Sequence, residues 1–145
     1  MFQVACVGII PNERQEVLIT KRGVSPFKNQ YVMPGGKLDK GESVYECVSR
    51  EVFEEVGIKI NSSELFNIYE VFLPLKQYLI LYFLCDVSEY NITIDYNEVT
   101  DTVWVDKNNY KNFDITEGTY YILSKFFRTG EFDNKRGIKD FRNLI

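Results

Sequence analysis

Between Ser43 and Gly57 the chain spells out a complete helix with both of its ends, and the acids on that helix limit what the chain can be. Ser43 followed three residues later by Glu46 makes a capping box, in which each side chain satisfies the other residue's backbone N–H. Gly57 suits the left-handed position that ends a helix. Val44, Val48, Val52 and Val56 drift slowly around one side, because each residue turns the helix by about 100°, and they define a stripe for a core. Glu51, Glu54 and Glu55 stand at i, i+3 and i+4, which clusters three carboxylates on one face. Such pairs destabilise an isolated helix by about 0.2–0.5 kcal/mol each. A solvated acidic face is the ordinary reading of a charge run. Here Glu51 and Glu55 point to the Val44–Val48 edge of the apolar stripe, with Cys47 on their other flank. Carboxylates placed at a core edge are costly unless a cation compensates them, and clustered oxygen ligands are what hard Mg²⁺ selects.

Composition narrows the chemistry further. There is no histidine in the 145 residues, which removes imidazole bases, Ser-His and Cys-His pairs and His-ligated zinc. Acid–base and metal work falls to carboxylates, Lys, Tyr or Cys. The net charge of −4 argues against non-specific nucleic-acid binding, which needs a basic surface. Cys6, Cys47 and Cys85 are odd in number and widely spaced, as expected of buried thiols in a reduced, cytoplasmic protein. No secretory leader is visible. The longest apolar run, Tyr78 to Cys85, is far shorter than the roughly 20 residues that span a bilayer.

The remaining pattern predicts strands at Phe2–Ile10 and Val17–Arg22 joined by a polar turn at Pro11–Gln15, with a short apolar stretch at Tyr31–Met33. Pro34, Gly35 and Gly36, then Asp39 to Gly41, read as irregular backbone. The Gly-Gly pair is either a simple turn or a place where backbone approaches a ligand closely. Leu65–Leu73 and Gln77–Val87 read as strands broken by Pro74, and Thr102–Val105 as another. Thr119–Arg128 reads as a packing helix. This order predicts one α+β domain, an α/β/α sandwich. Lys135, Arg136, Lys139 and Arg142 make the end of the chain mildly basic, read as solvated tail or as a packing or dimer contact.

The segment GGKLDKGESVYECVSREVFEEVGI, Gly35 to Ile58, resembles the signature of the Nudix hydrolases. Gly36, Glu42, Arg50, Glu51, Val52, Glu54, Glu55, Gly57 and Ile58 fill every specified place of that pattern. At residue frequencies of about 7%, seven fixed identities coincide by chance roughly once in 10⁸ placements. The stretch VGIIPNERQEVLITKR is similar to the opening hairpin of MutT-type 8-oxo-dGTP pyrophosphatases, and Glu98 sits like that group's late-loop glutamate.

The resemblance implies a Nudix-like sandwich with a mixed central sheet and a loop–helix–loop catalytic motif. It implies that Glu51, Glu54 and Glu55 hold Mg²⁺, or Mn²⁺ in its place, with the Gly35 carbonyl as a further ligand. Arg50 would orient Glu51, while Glu42, Gly36 and Gly57 would shape the motif. Glu98 would be an additional ligand or the general base. Arg22 would contact phosphate, and Val32, Met33, Pro34, Gly35 and Gly36 would line the substrate cleft; for Val32 to Pro34 an edge strand and a turn is the plain alternative. The substrate implied is a small nucleotide: a nucleoside triphosphate, possible 8-oxo-dGTP chemistry included, or alternatively ADP-ribose or a nucleotide sugar. The asparagine with which MutT-type members read a purine has no counterpart between Asp114 and Gly118. RNA 5′ ends are disfavoured by the acidic charge, and a non-catalytic nucleotide-binding module is the alternative from another class.

Overall fold

The computed structural model describes residues 1–143. In chain order its elements are β1 (Phe2–Ile9), β2 (Val17–Arg22), β3 (Tyr31–Val32), β4 (Gly35–Lys37), α1 (Val44–Val56), β5 (Ile60–Leu73), β6 (Lys76–Val87), β7 (Val99–Val105), α2 (Glu117–Phe127) and β8 (Ile138–Asp140). Among the described residues the strands form a mixed five-stranded sheet, β4-β1-β6-β5-β8, and a three-stranded sheet, β3-β2-β7.

Alternation along the strands divides the interior into two cores, because successive strand residues face opposite ways. Cys6, Leu18, Phe83, Cys85 and Val87 meet Cys47, Val48, Val52 and Val56 of α1. Ile9, Val17, Ile19, Tyr82 and Val105 meet Tyr121, Ile122 and Leu123 of α2. One helix therefore covers each face of the sheets, the expected α/β/α arrangement.

Three local expectations differ from the structure. The strands at Phe2–Ile9 and Val17–Arg22 do not form a regular hairpin. β1 runs parallel to β6 and antiparallel to β4, whereas β2 pairs with β3 and β7. Pro11, which has no N–H to donate, interrupts the pairing, and the two arms meet through a bridge to Val17, the Leu18 N–H bond to the Ile10 carbonyl at 3.2 Å and the Asn12 N–H bond to the Glu16 carbonyl at 2.9 Å. Gly35 and Gly36 are strand, not irregular backbone, with Gly36 opposite Cys6 and Gly35 opposite Val7. Finally, the basic end of the chain divides between the two readings: Lys135 and Arg136 are exposed, whereas Lys139 and Arg142 make packing contacts. β8 pairs in parallel with β5, placing Ile138, Lys139 and Asp140 opposite Glu70, Val71 and Phe72. Lys139 reaches Glu117 at 2.5 Å, and the Arg142 guanidinium lies 4.2 Å from the centre of the Phe72 ring.

The α1 boundaries follow from local chemistry. The Glu46 N–H donates to Ser43 Oγ at 3.1 Å, and the Ser43 N–H donates to Glu46 Oε1 at 2.9 Å. Gly57 ends the helix at φ 72°, donating its N–H to the Phe53 carbonyl. All three cysteines are buried free thiols, and no helix among the described residues is long and apolar enough to cross a membrane.

Candidate active site

The acids of α1 divide as the apolar stripe predicts. Glu55 is 8% exposed, whereas the Glu54 side chain is 55% exposed and that of Glu51 15%. Glu51 turns towards β4, where the Gly36 backbone comes very close to its carboxylate. A Cβ at residue 36 would lie 2.3 Å from the Glu51 carboxyl carbon. Glycine here makes room for a side chain of the same protein. Gly35 has an analogous role against β1, since its Cβ would meet the Cys6 carbonyl oxygen at 2.3 Å.

Arg50 gathers the loop and the helix. Its Nε and Nη2 donate to the two oxygens of Glu42 at 3.0 and 2.7 Å, a fork-shaped contact suited to guanidinium. Nη2 also donates to the Lys37 carbonyl at 3.1 Å and lies 3.3 Å from Asp39. Nη1 serves the helix acids, Glu51 at 2.8 Å and Glu54 at 3.3 Å. The Arg50 hydrogen bonds, aided by the Asp39 N–H, pull the Glu42 carboxyl down to about 2.

Among the described residues Glu55 has no such partner. Its carboxylate accepts a long bond, 3.4 Å, from the Gly35 N–H. Burial pushes its pKa up to about 8, reinforced by the charges of Glu51 and Glu98 and opposed by Arg22. Glu51 is also raised by burial, against the pull of Arg50.

The loop before β7 is fastened to the helix end: Thr93 N–H donates to the Val56 carbonyl at 2.9 Å, and Asp95 N–H to the Glu55 carbonyl at 3.0 Å. The same loop meets β2, because the Glu98 carbonyl accepts from the Gly23 N–H at 2.8 Å. Arg22 follows a register shift in the β2–β7 ladder, and its Nε donates to the Pro26 carbonyl at 2.6 Å.

The expected cleft lining is only partly gathered. Met33 is 2% exposed within the α2-side core, and Pro34 is buried, its carbonyl accepting from Gly8 N–H at 2.8 Å. Val32 is half-buried in the β3 strand. Nor do Glu51, Glu54 and Glu55 converge: among the described residues no group of three metal-ligating side chains is positioned around one point. Arg50 draws Glu51 and Glu54 to itself, while Glu55 turns to the Gly35 N–H. The Thr93–Asp95 fastening was not foreseen from the sequence, since nothing in its spacing points to the end of α1.

The donor set nevertheless fits a hard divalent ion. Among the described residues buried Glu55 lacks a cationic hydrogen-bond partner, Glu51 is drawn in beside Gly36, and both adjoin backbone of β4.

A family model described as NUDIX domain matches residues 1–126. The chain belongs to the Nudix hydrolase family. Among related proteins, the 8-oxo-dGTP diphosphatase of Escherichia coli is 37% identical over 86 residues, 59% of this chain and 66% of that protein. The NAD-capped RNA hydrolase NudC of Haemophilus influenzae is 34% identical over 107 residues, 71% of this chain but 40% of that protein. The ADP-ribose pyrophosphatase of Methanocaldococcus jannaschii is 39% identical over 66 residues, 46% of this chain and 38% of that protein. These matches thus span less than two thirds of each relative. The Nudix fold is shared with the MutT protein of Methanosarcina mazei, at a TM-score of 0.77 and 22% identity over 90% of this chain and 96% of that one. It is shared equally with the MutT Nudix hydrolase of Burkholderia pseudomallei, at 0.73 and 21% over 86% and 97%.

Proposed function

We propose that this Nudix protein hydrolyses a diphosphate bond in a nucleoside triphosphate or related nucleotide, in the manner of the MutT-type pyrophosphohydrolases, and that it requires Mg²⁺. The observation that carries this reading is the pair Glu51 and Glu55, drawn into the protein beside Gly35 and Gly36 with too little positive charge to balance them. A divalent cation held there supplies that charge and neutralises the anionic phosphates. Glu51, Glu54 and Glu55, with the Gly35 carbonyl, are the residues that would hold it. Arg50 positions Glu51 and releases Glu54, its longer and more exposed partner, with the smaller loss. Arg22 is available for a phosphate oxygen. Glu98, or one of the box glutamates, takes the proton of a water as that water attacks phosphorus. The bridging P–O bond then breaks, giving a nucleoside monophosphate and pyrophosphate or a phosphorylated leaving group. No covalent enzyme intermediate is required.

A second reading, ADP-ribose or a nucleotide sugar as substrate, is favoured by the absence of asparagine between Asp114 and Gly118 and by the M. jannaschii relative. The deciding experiment measures hydrolysis of dGTP, 8-oxo-dGTP, ADP-ribose, dinucleoside polyphosphates and nucleotide sugars, with Mg²⁺ and with a chelator. Full turnover by Glu54→Gln and Glu55→Gln, or in chelator, would remove the metal-cluster reading.

A further inference from the structure

At the far end of the β2–β7 ladder lies a second polar site. Arg22 and Val99 pair at the end beside the helix acids, and Val17 and Val105 at the other. Six residues of strand separate the two ends by about 17 Å. Beyond Val17 and Val105 the surface forms a cleft of about 470 Å³ whose walls include Arg14, Lys107 and Arg128. Asp106 is the acid that lines it, so the wall carries a positive excess in a chain whose net charge is −4.

Each cation stands on a locked turn. Arg14 belongs to a turn in which Asn12 Oδ1 accepts from the N–H groups of Arg14 and Glu16, both at 3.0 Å. Lys107 follows Asp106, whose Oδ1 accepts from the N–H groups of Asn108 at 2.8 Å and Asn109 at 3.0 Å. Those bonds turn one carboxylate oxygen of the acid in the wall towards its own turn. Arg128 caps α2 at φ 56° and donates its N–H to the Lys125 carbonyl at 3.3 Å. None of the three makes an ion pair among the described residues. Phe126 and Phe127 add an apolar wall.

Three exposed cations that rise from fixed backbone around one cleft, with no ion pair among the described residues, are suited to a ligand with several anionic oxygens. We infer that this cleft binds a small phosphorylated molecule at a site separate from the helix acids. Binding there needs no divalent ion, and it depends on charge that salt screens.

The test is a calorimetric and NMR titration of the full chain with inorganic triphosphate, in low salt and with a chelator present. Saturable binding is expected at or below about 1 mM, with amide shifts at residues 12–16, 106–108 and 126–128. Arg14→Gln, Lys107→Gln and Arg128→Gln combined should weaken it about tenfold or more, leaving nucleotide turnover and melting temperature unchanged. Lys107→Glu alone, should the triple variant fold poorly, is expected to weaken binding as well. Absence of saturable binding, shifts confined to residues near Arg22 and α1, or unchanged affinity in a folded variant would each overturn the inference. Loss of nucleotide turnover in Glu55→Gln with triphosphate binding intact would separate this site from the catalytic one.

Discussion

Gly36 and Glu51 share a space that admits only one of two side chains. A Cβ at residue 36 would sit 2.3 Å from the Glu51 carboxyl carbon, well inside contact distance. Gly36→Ala must therefore move Glu51 or part β4 from α1. Because misplacement of a reacting group by about 1 Å can cost about 100-fold in rate, kcat should fall by that order. A steady-state assay paired with a melting curve checks this: a loss of turnover exceeding any loss of fold marks Glu51 as the target.

Arg50 holds its five partners through three nitrogens in one plane. Lysine keeps the charge but cannot reproduce the fork to Glu42 while also reaching Glu51. Arg50→Lys is expected to lower the melting temperature by about a few degrees and to reduce kcat more than it raises KM, since its partners are protein carboxylates. The Glu42 pair sets the acid side of the profile. Its carboxyl is depressed from 4.5 to about 2, so its stabilisation is present above the ordinary carboxylate range and is lost as pH falls through about 2. Thermal melts from neutral to strongly acid pH should show this loss in the parent and a smaller one in Arg50→Lys.

The capping box offers a local test. Ser43→Ala removes the acceptor for the Glu46 N–H and should cost about 1 kcal/mol, measured as a lower urea midpoint with unchanged slope. A cost near zero would mean that packing of α1 alone holds its first turn.

α1 was legible before its partners were known because Ser43, Glu46, Gly57 and the four valines act over one to three turns of a single helix. The split between buried Glu55 and exposed Glu54 followed from the same period. β4 was not legible, because Gly35 and Gly36 become strand only through β1, a neighbour some thirty residues away. Met33, read as cleft lining or as edge strand and turn, is core for a similar reason: the cluster it joins is assembled from β1, β2, β7 and α2 together. For the basic residues near the end, solvated tail and packing contact both stayed open, because the partners of Lys139 and Arg142, Glu117 and Phe72, lie on elements well back along the chain. Chemistry carried within one helix could be read, while placement that depends on pairing across sheets could not.

Glu55 makes a prediction about pH. Its carboxyl is raised from 4.5 to about 8, chiefly by burial, so the fold prefers it neutral. For the metal-free protein the resulting stability is fully present below 4.5 and is lost as pH rises through about 8. Glu55→Gln fixes a neutral group of the same shape. With a chelator present, it should be more stable than the parent by on the order of 1–3 kcal/mol above about pH 8, and no more stable near pH 4. Urea unfolding at the two pH values measures the difference. A variant destabilised at both would show that the carboxylate is solvated or otherwise paired in the folded state.

The docked end of the chain can be tested at Gly137. A Cβ there would meet the Ile68 carbonyl oxygen at 2.6 Å and the Tyr121 ring at 2.9 Å, so backbone and a core ring, not a flexible side-chain tip, set the limit. The same segment is tied down by the Glu70 N–H bond to the Gly137 carbonyl at 2.7 Å and by the Tyr121 hydroxyl bond to the Lys135 carbonyl at 3.0 Å. Gly137→Val must either strain these contacts or lift β8 from β5. Overpacking of this kind costs about 1–3 kcal/mol, to be read from the urea midpoint, and amide exchange at Glu70 should accelerate as its acceptor moves away. A solvated tail would tolerate valine without any change in stability. Turnover should change less than stability, because the α1 acids lie on the opposite face of the sheets from the Tyr121 core that Gly137 abuts.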